Sequence, residues 1–508
     1  METRKPLGRV LIANRGEIAV RIIRTLREFG IETVAVYSDA DADSLHRRMA
    51  DYAYHLKGVT PADTYLNIPL LMSVIEDFGV DGVHPGYGFL SENAAFVREV
   101  EKAGVRFIGP SSASMEIMGD KVKAKALMIS REVPVTPGSD GALKDLGDLR
   151  ATVERMGYPL ILKASAGGGG RGMQIVRKPE ELETAWETCT RQAQDYFGNP
   201  EVFAERFIEN PRHIEVQVLC DSKGNGVHLF ERDCSVQRRH QKLLEEAPSA
   251  YLNDAQREQL GEFAVRAALA ANYEGVGTVE FICESPEQIY FMEMNTRIQV
   301  EHTVTEEITG IDLVAEQIRV ANGEHLSMEQ ADIRIRGWCI ESRINAENPL
   351  MDFMPAPGNI QRLSLPAGPG VRIDTHIFEG YTIPDAYDSM IAKLIVSGKT
   401  RDDAIARMQR ALAELDVVGV PTTAAFHRAV LDHPVFRAGT MDTGFLEKYG
   451  DEIRDSMNQT PDASVEDLAA LLTAILVQEN TTPPEHGMIR FPNRKQWVST
   501  GRKESVHR

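Results

Sequence analysis

Two glutamates and an asparagine occupy neighbouring strand-like segments in the second half of the sequence. Glu280 lies in TVEFI, and Glu293 and Asn295 lie in YFMEMNTR, with the turn signal Ser285-Pro286 between the segments. A hairpin centred on that turn places Glu280 opposite Glu293, where two like charges destabilise a sheet. A divalent cation would reverse that repulsion, and two carboxylates with an amide oxygen suit Mg²⁺ or Mn²⁺. The alternative is a solvated strand face, which fits the flanking aromatic residues less well.

Polar residues continue at every second position after this hairpin. A strand places alternate residues on one face, so the predicted metal face extends for as long as the strand persists. Its members are Glu293, Asn295, Arg297, Gln299 and Glu301.

A glycine-rich segment at residues 167–172 reads GGGGRG and follows Lys163. It contains G-x-G-x-x-G, but the strand-like MQIV follows where a dinucleotide-binding loop needs a helix. The pattern therefore predicts a loop between two strands, whose backbone N–H groups can approach phosphate oxygens closely. A surface hairpin without a ligand is the alternative.

Two shorter segments could also bind small anions or ligands. The basic run QRRHQK at residues 237–242 is either a solvated loop or an anion pocket, and its spacing does not separate the two. The segment HPGYG at residues 84–88 follows a predicted parallel strand, where ligands bind in open α/β sheets, although such glycines are also ordinary turn residues.

The elements that must position these residues change in type along the chain. Strand patterns at residues 9–13, 33–37, 80–84 and 106–108, with a helix at 17–29, predict a doubly wound parallel sheet that ends near residue 114. Several strand patterns between residues 201 and 295 predict an antiparallel α+β region. The chain is strand-rich again after Gly323, and a helix is predicted from about 400 to 415.

The composition of the chain excludes several classes of protein. The 508 residues carry a net charge of −19, which argues against wrapping of nucleic acid. No apolar run in the sequence reaches the roughly 20 residues that span a bilayer, so no membrane association is expected. Five dispersed cysteines predict reduced thiols and a cytoplasmic protein.

Taken together, these segments resemble the biotin carboxylases of the ATP-grasp superfamily. The resemblance covers about residues 6–450 and is carried by IANRGEIAVRIIR, HPGYGFLSEN, GDKVKAK, KASAGGGGRGM, NPRHIEVQV, ERDCSVQRRHQKLLEEAP, EMNTRIQVEH and AYDSMIAKLIV. It implies an N-terminal parallel-sheet domain at 1–114, an ATP-grasp domain at 115–330 with a mobile lid at about 137–210, and a mostly antiparallel β domain at 331–450. A tail at 451–508 carries a predicted amphipathic helix and a basic, Trp497-containing end that we expect to bind a partner subunit.

The resemblance also implies a two-step ligase reaction. MgATP phosphorylates bicarbonate to carboxyphosphate, and the CO₂ released from it carboxylates N1′ of biotin. Two Mg²⁺ or Mn²⁺ ions and a homodimer are expected. Biotin attachment in this superfamily uses a Met-Lys-Met hairpin, and the sequence contains no Met-Lys dipeptide. We therefore expect biotin on a separate biotin carboxyl carrier protein, with a separate carboxyltransferase subunit.

By motif, the resemblance assigns each site residue a role. The nucleotide-binding set is Lys121, Lys163, Gly169, Gly170, Glu205, Ile208, His213, Gln237 and His240. The metal ligands are Glu280, Glu293 and Asn295, as in the hairpin argument. Bicarbonate is surrounded by Lys242, Arg297, Gln299 and the backbone of Val300. Glu301 is the base that deprotonates bicarbonate, Arg343 stabilises the biotin enolate, and Tyr87 is placed at the biotin site.

Some positions depart from the commoner pattern of the family. Ala166 replaces the first glycine of the loop, Arg206-Phe207 stands where Lys-Tyr is usual, and Thr303 stands where proline is common. The threonine form is similar to pyruvate carboxylases. The first prediction is therefore the biotin carboxylase subunit of an acyl-CoA carboxylase, such as acetyl-CoA carboxylase, and the second is the biotin carboxylase subunit of a two-subunit pyruvate carboxylase. The competing classes are another ATP-grasp ligase and a regulatory subunit that has lost catalysis.

Overall fold

The computed structural model describes residues 5–165 and 172–458. The predicted glycines Gly169 and Gly170, the departure at Ala166, and the tail with its amphipathic helix and Trp497 lie outside these ranges. None of the helices within them is long and apolar enough to cross a membrane.

The N-terminal part forms a parallel five-stranded sheet. Its strands lie in the order Tyr52–His55, Glu32–Tyr37, Arg9–Ile12, Gly82–His84 and Arg106–Phe107. The helix predicted at 17–29 spans Gly16–Glu28 and buries Ile18, Ile22, Ile23 and Leu26, the predicted apolar face. The doubly wound parallel sheet predicted from the sequence is confirmed.

An eight-stranded antiparallel sheet forms the centre of the chain. Its order is Gln288–Asn295, Gly275–Ser285, Arg212–Cys220, Gly226–Arg238, Gln241–Ala247, Trp338–Asn345, Met390–Gly398 and Val371–Thr375. Leu244 pairs with Ser342 and Glu245 with Glu341, so the sheet is continuous across residue 330, where a domain boundary was predicted. Residues far apart in sequence, such as Lys242 and Arg343, are therefore held on adjacent strands.

A separate three-stranded antiparallel sheet carries Lys163. Its order is Met173–Val176, Leu160–Ala164 and Val202–Arg206, and Lys163 pairs with Met173 and Phe203. The strands predicted on either side of the glycine segment are thus confirmed. A small apolar core that includes Leu160, Leu162, Val202 and Cys189 supports this sheet. That the segment acts as a lid stays a prediction.

Short ladders and helices complete the described ranges. The two-stranded ladders are Glu347–Asn348 with Met354–Pro355, Gly358–Asn359 with Thr382–Ile383, and Arg362–Ser364 with Asp416–Val418. Besides Gly16–Glu28, the α-helices span Leu45–Met49, Ile68–Phe78, Ala94–Lys102, Ser112–Gly119, Lys121–Ser130, Leu146–Met156, Leu182–Phe197, Asp254–Ala270, His302–Thr309, Leu313–Ala321, Arg401–Glu414, Ala424–Asp432, Pro434–Arg437 and Phe445–Asn458. The helix predicted at 400–415 begins after Thr400, whose side chain caps it together with Asp403.

Candidate active site

The acidic hairpin has the predicted register. Gly275–Ser285 pairs with Gln288–Asn295, Glu280 lies opposite Glu293, and Thr278 lies opposite Asn295. On its other side Glu280 pairs with Glu215 of the strand Arg212–Cys220. Three carboxylates therefore stand side by side across three strands, of which Glu215 has no counterpart among the sequence predictions.

The pKa values of the two facing carboxylates, Glu280 and Glu293, are shifted in opposite directions. Burial and the adjacent charge of Glu280 raise the pKa of Glu293, with Lys121 partly offsetting them. Burial also acts to raise the pKa of Glu280, but the charges of Lys242 and His213 outweigh it and lower that pKa below its ordinary value. The negative charge of the pair is thus only partly compensated on the Glu293 side. Two carboxylates and the amide oxygen of Asn295 are hard donors, so these residues fit a divalent cation there.

A second cluster, formed by His213, Glu215 and Glu280, includes a carboxylate that is already paired with basic side chains. Ligand atoms of His213, Glu215 and Glu280 lie within 4.8 Å of one another. Glu215 Oε1, however, accepts a hydrogen bond from Arg232 Nε at 2.6 Å, and Glu215 Oε2 accepts one from Lys242. Both of its oxygens therefore bind buried cations, and Glu215 anchors Lys242 and Arg232.

Lys242 connects Glu280, a predicted metal ligand, to Glu301, the predicted base. Its Nζ donates to Glu280 Oε1 at 2.9 Å, to Glu301 Oε1 at 2.7 Å, and to Glu215. Burial acts to lower the pKa of Lys242, but the three carboxylates outweigh it and raise that pKa well above its ordinary value. Lys242 is therefore held as an ammonium cation. The basic run at 237–242 forms a tight hairpin, and its two end residues, Gln237 and Lys242, reach the buried cluster.

Glu301 is fully buried between two cations. Its Oε1 binds Lys242, and its Oε2 accepts a hydrogen bond from Arg343 Nη2 at 3.0 Å. Burial favours the neutral acid, yet Lys242, Arg343 and the nearby Arg232 outweigh it and lower the pKa of Glu301 well below its ordinary value. Glu301 is held as a carboxylate, the protonation state that a general base needs. Arg343 also donates from Nε to Glu245 Oε1 at 2.6 Å.

Arg297 and Gln299 reach the same cluster by a different route from the predicted one. The strand ends at Asn295, so strand alternation places only Glu293 and Asn295 on one face, and Glu301 immediately precedes the helix His302–Thr309. Hydrogen bonds between side chains, and not the alternation of a strand, connect Arg297 and Gln299 to Glu280. Arg297 Nη1 donates to Gln299 Oε1 at 2.7 Å, and Gln299 Nε2 donates to Glu280 Oε1 at 3.1 Å.

Glu92 of the N-terminal part holds Arg297 in place. Its Oε2 accepts a hydrogen bond from Arg297 Nε at 3.0 Å, and its Oε1 accepts one from the backbone N–H of Thr296. Glu92 belongs to the family motif HPGYGFLSEN, from which the sequence alone predicted no role for this residue. The backbone carbonyl of Val300 accepts a hydrogen bond from Lys393 Nζ at 2.9 Å.

The described residues of the predicted nucleotide site include two that lie beside the acidic hairpin. His213 Nε2 lies 3.2 Å from Glu280 Oε2, and Gln237 Nε2 lies 2.8 Å from His213 Nδ1, so both adjoin the Glu280–Glu293 pair. His240 occupies the exposed hairpin turn, with a left-handed φ of 66°. In a second group, Lys163 and Glu205 lie on the three-stranded sheet, Ile208 follows its strand Val202–Arg206, and Lys121 begins the helix Lys121–Ser130.

Within that second group, Glu205 is paired with two lysines. Lys163 Nζ donates to Glu205 Oε2 at 2.6 Å, and Lys125 Nζ donates to Glu205 Oε1 at 2.9 Å. Lys163 was predicted at the ATP phosphates and Glu205 at the adenine hinge, and in this structure they contact each other. Lys125, in the motif GDKVKAK, was not predicted as a site residue.

Tyr87 lies at the carboxyl end of the parallel sheet. The strand Gly82–His84 precedes it, and its backbone carbonyl accepts a hydrogen bond from Asn14 Nδ2 at 2.7 Å. Its hydroxyl contacts Glu17, and Glu17 Oε1 lies 3.3 Å from Nζ of the fully buried Lys393. A chain of polar contacts thus joins Tyr87 through Lys393 to Val300, which adjoins Glu301.

Three family models match successive parts of this chain. Residues 6–115 match the family model for the biotin carboxylase N-terminal domain, residues 120–329 that for the ATP-binding domain of carbamoyl-phosphate synthase L chain, and residues 341–448 that for the biotin carboxylase C-terminal domain. Biotin carboxylase 1 of Bacillus subtilis is 53% identical over 444 residues, which cover 87% of this chain and 99% of that protein. The chain belongs to the biotin carboxylase family. The predicted family and its enzyme class, an ATP-dependent ligase, are confirmed.

Relatives with different names match at similar levels. A pyruvate carboxylase subunit of Methanothermobacter thermautotrophicus is 51% identical over 442 residues, covering 87% of this chain and 90% of that protein. The biotin carboxylase domain dimer of Hydrogenobacter thermophilus 2-oxoglutarate carboxylase, solved with MgADP, ADP and bicarbonate, superposes with a TM-score of 0.84 at 47% identity. That match covers 88% of this chain and 99% of the solved one. Biotin carboxylases of this similarity therefore occur in enzymes with different acceptors.

Proposed function

We propose that this biotin carboxylase carboxylates biotin through carboxyphosphate. The γ-phosphoryl group of ATP passes to an oxygen of bicarbonate and ADP leaves; carboxyphosphate then divides into CO₂ and phosphate, and CO₂ bonds to N1′ of biotin. The observation that carries this proposal is the position of Lys242, which contacts a predicted metal ligand, Glu280, and the predicted base, Glu301, with one ammonium group. A relative with the same fold has been solved with MgADP and bicarbonate.

Nucleotide and metal binding are assigned to the acidic hairpin and the lysines around it. Glu280, Glu293 and Asn295 would hold two divalent ions together with the ATP phosphates. Bound divalent ions neutralise the charge that develops during phosphoryl transfer. Lys121 and Lys163 supply further cations for the phosphates, and Lys163 must exchange its contact with Glu205 for the nucleotide. Gly169 and Gly170 are proposed as phosphate contacts of the lid.

Bicarbonate is proposed to bind against Lys242, Arg297, Gln299 and the backbone of Val300. A planar guanidinium matches a planar oxyanion, and Glu92 orients that guanidinium. Bicarbonate that shares the charge of Lys242 weakens the ion pair between Lys242 and Glu301. The basicity of Glu301 therefore rises as the substrate binds, and its carboxylate can take the proton of bicarbonate.

Biotin is proposed to bind between Arg343 and Tyr87. Removal of the N1′ proton places negative charge on the ureido oxygen of biotin, and the Arg343 guanidinium can stabilise that charge. Glu245 and Glu301 hold this guanidinium from two sides. The phosphate released from carboxyphosphate is a base that can accept the N1′ proton.

The proposed partners are a biotin carboxyl carrier protein, a carboxyltransferase and a second copy of this chain. For the final acceptor, an acyl-CoA is the first candidate and pyruvate the second. Thr303 favours the second, because it has the threonine form that is similar to pyruvate carboxylases. A cytoplasmic location stays a prediction.

Two assays test the proposal. The purified chain is expected to hydrolyse ATP only with bicarbonate and Mg²⁺, and free biotin should stimulate it. ATP turnover that ignores bicarbonate but responds to an amine would instead indicate an amide ligase. The acceptor is then decided by isolating the chain with its native partners and assaying acetyl-CoA, propionyl-CoA and pyruvate with radiolabelled bicarbonate.

A further inference from the structure

An exposed apolar turn follows the strand that carries Arg343. The strand Trp338–Asn345 ends two residues after Arg343, and the chain then turns at residues 349–353. Leu350, Met351 and Met354 are 51%, 56% and 51% exposed. Elsewhere in residues 5–165 and 172–458, no stretch of five residues carries three exposed large hydrophobic side chains. Clustered exposed apolar side chains mark interaction sites, whereas single ones need no explanation.

This turn, which we call the Leu350 turn (residues 349–354), is held rigidly. Asp352 and Phe353 have left-handed φ angles of 52° and 57°, which non-glycine residues adopt only where the surroundings enforce them. Asn348 pairs with Met354, and the Phe353 N–H donates to the Asn348 carbonyl at 2.9 Å. Phe353 is buried against Phe426, with ring centroids 4.9 Å apart. Buried Phe353 therefore fixes the turn while its three apolar neighbours face outward.

Two sets of contacts connect the Leu350 turn to the active site. Asp352 accepts hydrogen bonds from Arg238 at 2.8 Å and from Arg239 at 2.9 Å, both on the hairpin that continues to Lys242. On the other side, Phe426 precedes His427, whose Nε2 lies 2.7 Å from the backbone carbonyl of Arg343. The turn is therefore linked by contacts to the hairpin that carries Lys242 and to the strand that carries Arg343, the residue proposed to bind biotin.

We propose that the Leu350 turn docks the biotinylated carrier domain. This inference rests on the proposed function. When biotin is attached to a carrier protein, the carrier surface around the attachment point must approach the edge of the active site. Leu350, Met351 and Met354 are exposed at that edge. The only acidic side chain among residues 349–354, Asp352, is paired with two arginines, so the occupant must be largely apolar at this contact. Methionine side chains adapt to irregular apolar surfaces.

The test compares two biotin substrates for one variant. The substitutions Leu350→Ser, Met351→Ser and Met354→Ser are combined, since all three side chains are exposed and the residues that hold the turn are unchanged. With the biotinylated carrier protein that co-purifies with the chain, kcat/KM should fall about tenfold or more. With free biotin it should change by less than about twofold. Leu365→Ser, at a leucine that is 38% exposed in the same part of the chain, is the control and should affect neither substrate.

Each other outcome overturns the docking proposal in a recognisable way. Equal losses with carrier and free biotin would mean that the turn supports the site and not the carrier. Unchanged kinetics combined with weaker retention of the carboxyltransferase, or with a shift from dimer to monomer in sedimentation, would assign the surface to that partner or to a second copy. If the wild-type chain shows no biotin-stimulated, bicarbonate-dependent ATP hydrolysis, the proposed function fails first and the docking proposal falls with it.

Discussion

Two clusters of lysine and glutamate in this chain differ in how firmly their charges are held. Lys242, whose side chain is 12% exposed, contacts three carboxylates that are 0%, 6% and 0% exposed, on strands of the eight-stranded sheet and in the turn that follows it. Glu205 contacts Lys163 and Lys125 between a three-stranded sheet and one helix, and their side chains are 12%, 22% and 17% exposed. The carboxylates of the first cluster have little access to water, so they depend on the buried cations beside them. Charges in the second cluster can exchange a partner for water or for a nucleotide.

This difference assigns separate tasks to the two clusters. Breaking a buried ion pair leaves an uncompensated charge, whereas partly exposed pairs contribute little. The Lys242 cluster can therefore hold a base and an anion site in fixed geometry throughout a reaction. The Glu205 cluster can open and close with each nucleotide. Substitutions in the Lys242 cluster should accordingly have larger effects on activity and stability than substitutions in the Glu205 cluster.

The largest effect is expected for Glu301→Gln. The amide keeps the shape of the side chain but cannot accept a proton, so bicarbonate-dependent ATP hydrolysis and biotin carboxylation should both fall by about 10²–10⁴. Steady-state assays of both reactions measure this, with nucleotide binding as the control for an intact site. If ATP hydrolysis persists at the wild-type rate, Glu301 is not the base.

Arg343→Ala should separate the two half-reactions. Loss of a donor to a developing oxyanion typically lowers a rate by about 10²–10³, and we expect that loss in biotin carboxylation. Part of the bicarbonate-dependent ATP hydrolysis should survive, because Lys242 still binds Glu301. Parallel measurement of both rates checks this. Equal and complete loss in a folded Arg343 variant would contradict the assignment of Arg343 to biotin.

Glu215→Gln tests whether the first cluster depends on an anchor. Arg232 is fully buried and donates to Glu215, Gln217 and Thr305, and Lys242 binds the other Glu215 oxygen. Removing this charge should destabilise the chain by about 3 kcal/mol, since two buried cations lose a partner. Chemical denaturation measures the change. The control is Glu284→Gln, at a partly exposed glutamate paired with Arg206, and a similar loss there would remove the distinction between buried and exposed pairs.

The difference between the clusters also explains what the sequence could predict. The Glu280–Glu293 pairing was predictable because a short turn fixes the register of neighbouring strands. The parallel sheet and the helix Gly16–Glu28 were also predictable, because the spacing of apolar residues within each segment indicates its secondary structure. Glu215, Glu92 and Lys125 were not predicted as site residues, because their contacts join elements distant in sequence and no local pattern carries that information. The strand alternation failed after Asn295 because the chain leaves the sheet there.

The smallest effect is expected for Lys125→Met in the second cluster. Burial acts to raise the pKa of Glu205, but Lys163 and Lys125 outweigh it and lower that pKa. A carboxylate whose pKa is lower in the folded state stabilises the fold above its unfolded-state pKa, and this contribution is lost as the pH falls through the folded-state value. Lys125→Met should therefore cost about 1 kcal/mol or less at pH about 7, because Lys163 remains, and the difference from wild type should shrink below about pH 4.3.

Thermal unfolding midpoints at several pH values measure this effect. Lys102→Met serves as the control, since its exposed pair with Glu99 should contribute almost nothing at any pH. A second readout is the KM for ATP, which should change less for Lys125→Met than for Lys163→Met, because only Lys163 is proposed to transfer from Glu205 to the phosphates. If Lys125→Met destabilises the chain as much as Glu215→Gln does, the Glu205 cluster is a fixed structural element, and its proposed exchange with the nucleotide is wrong.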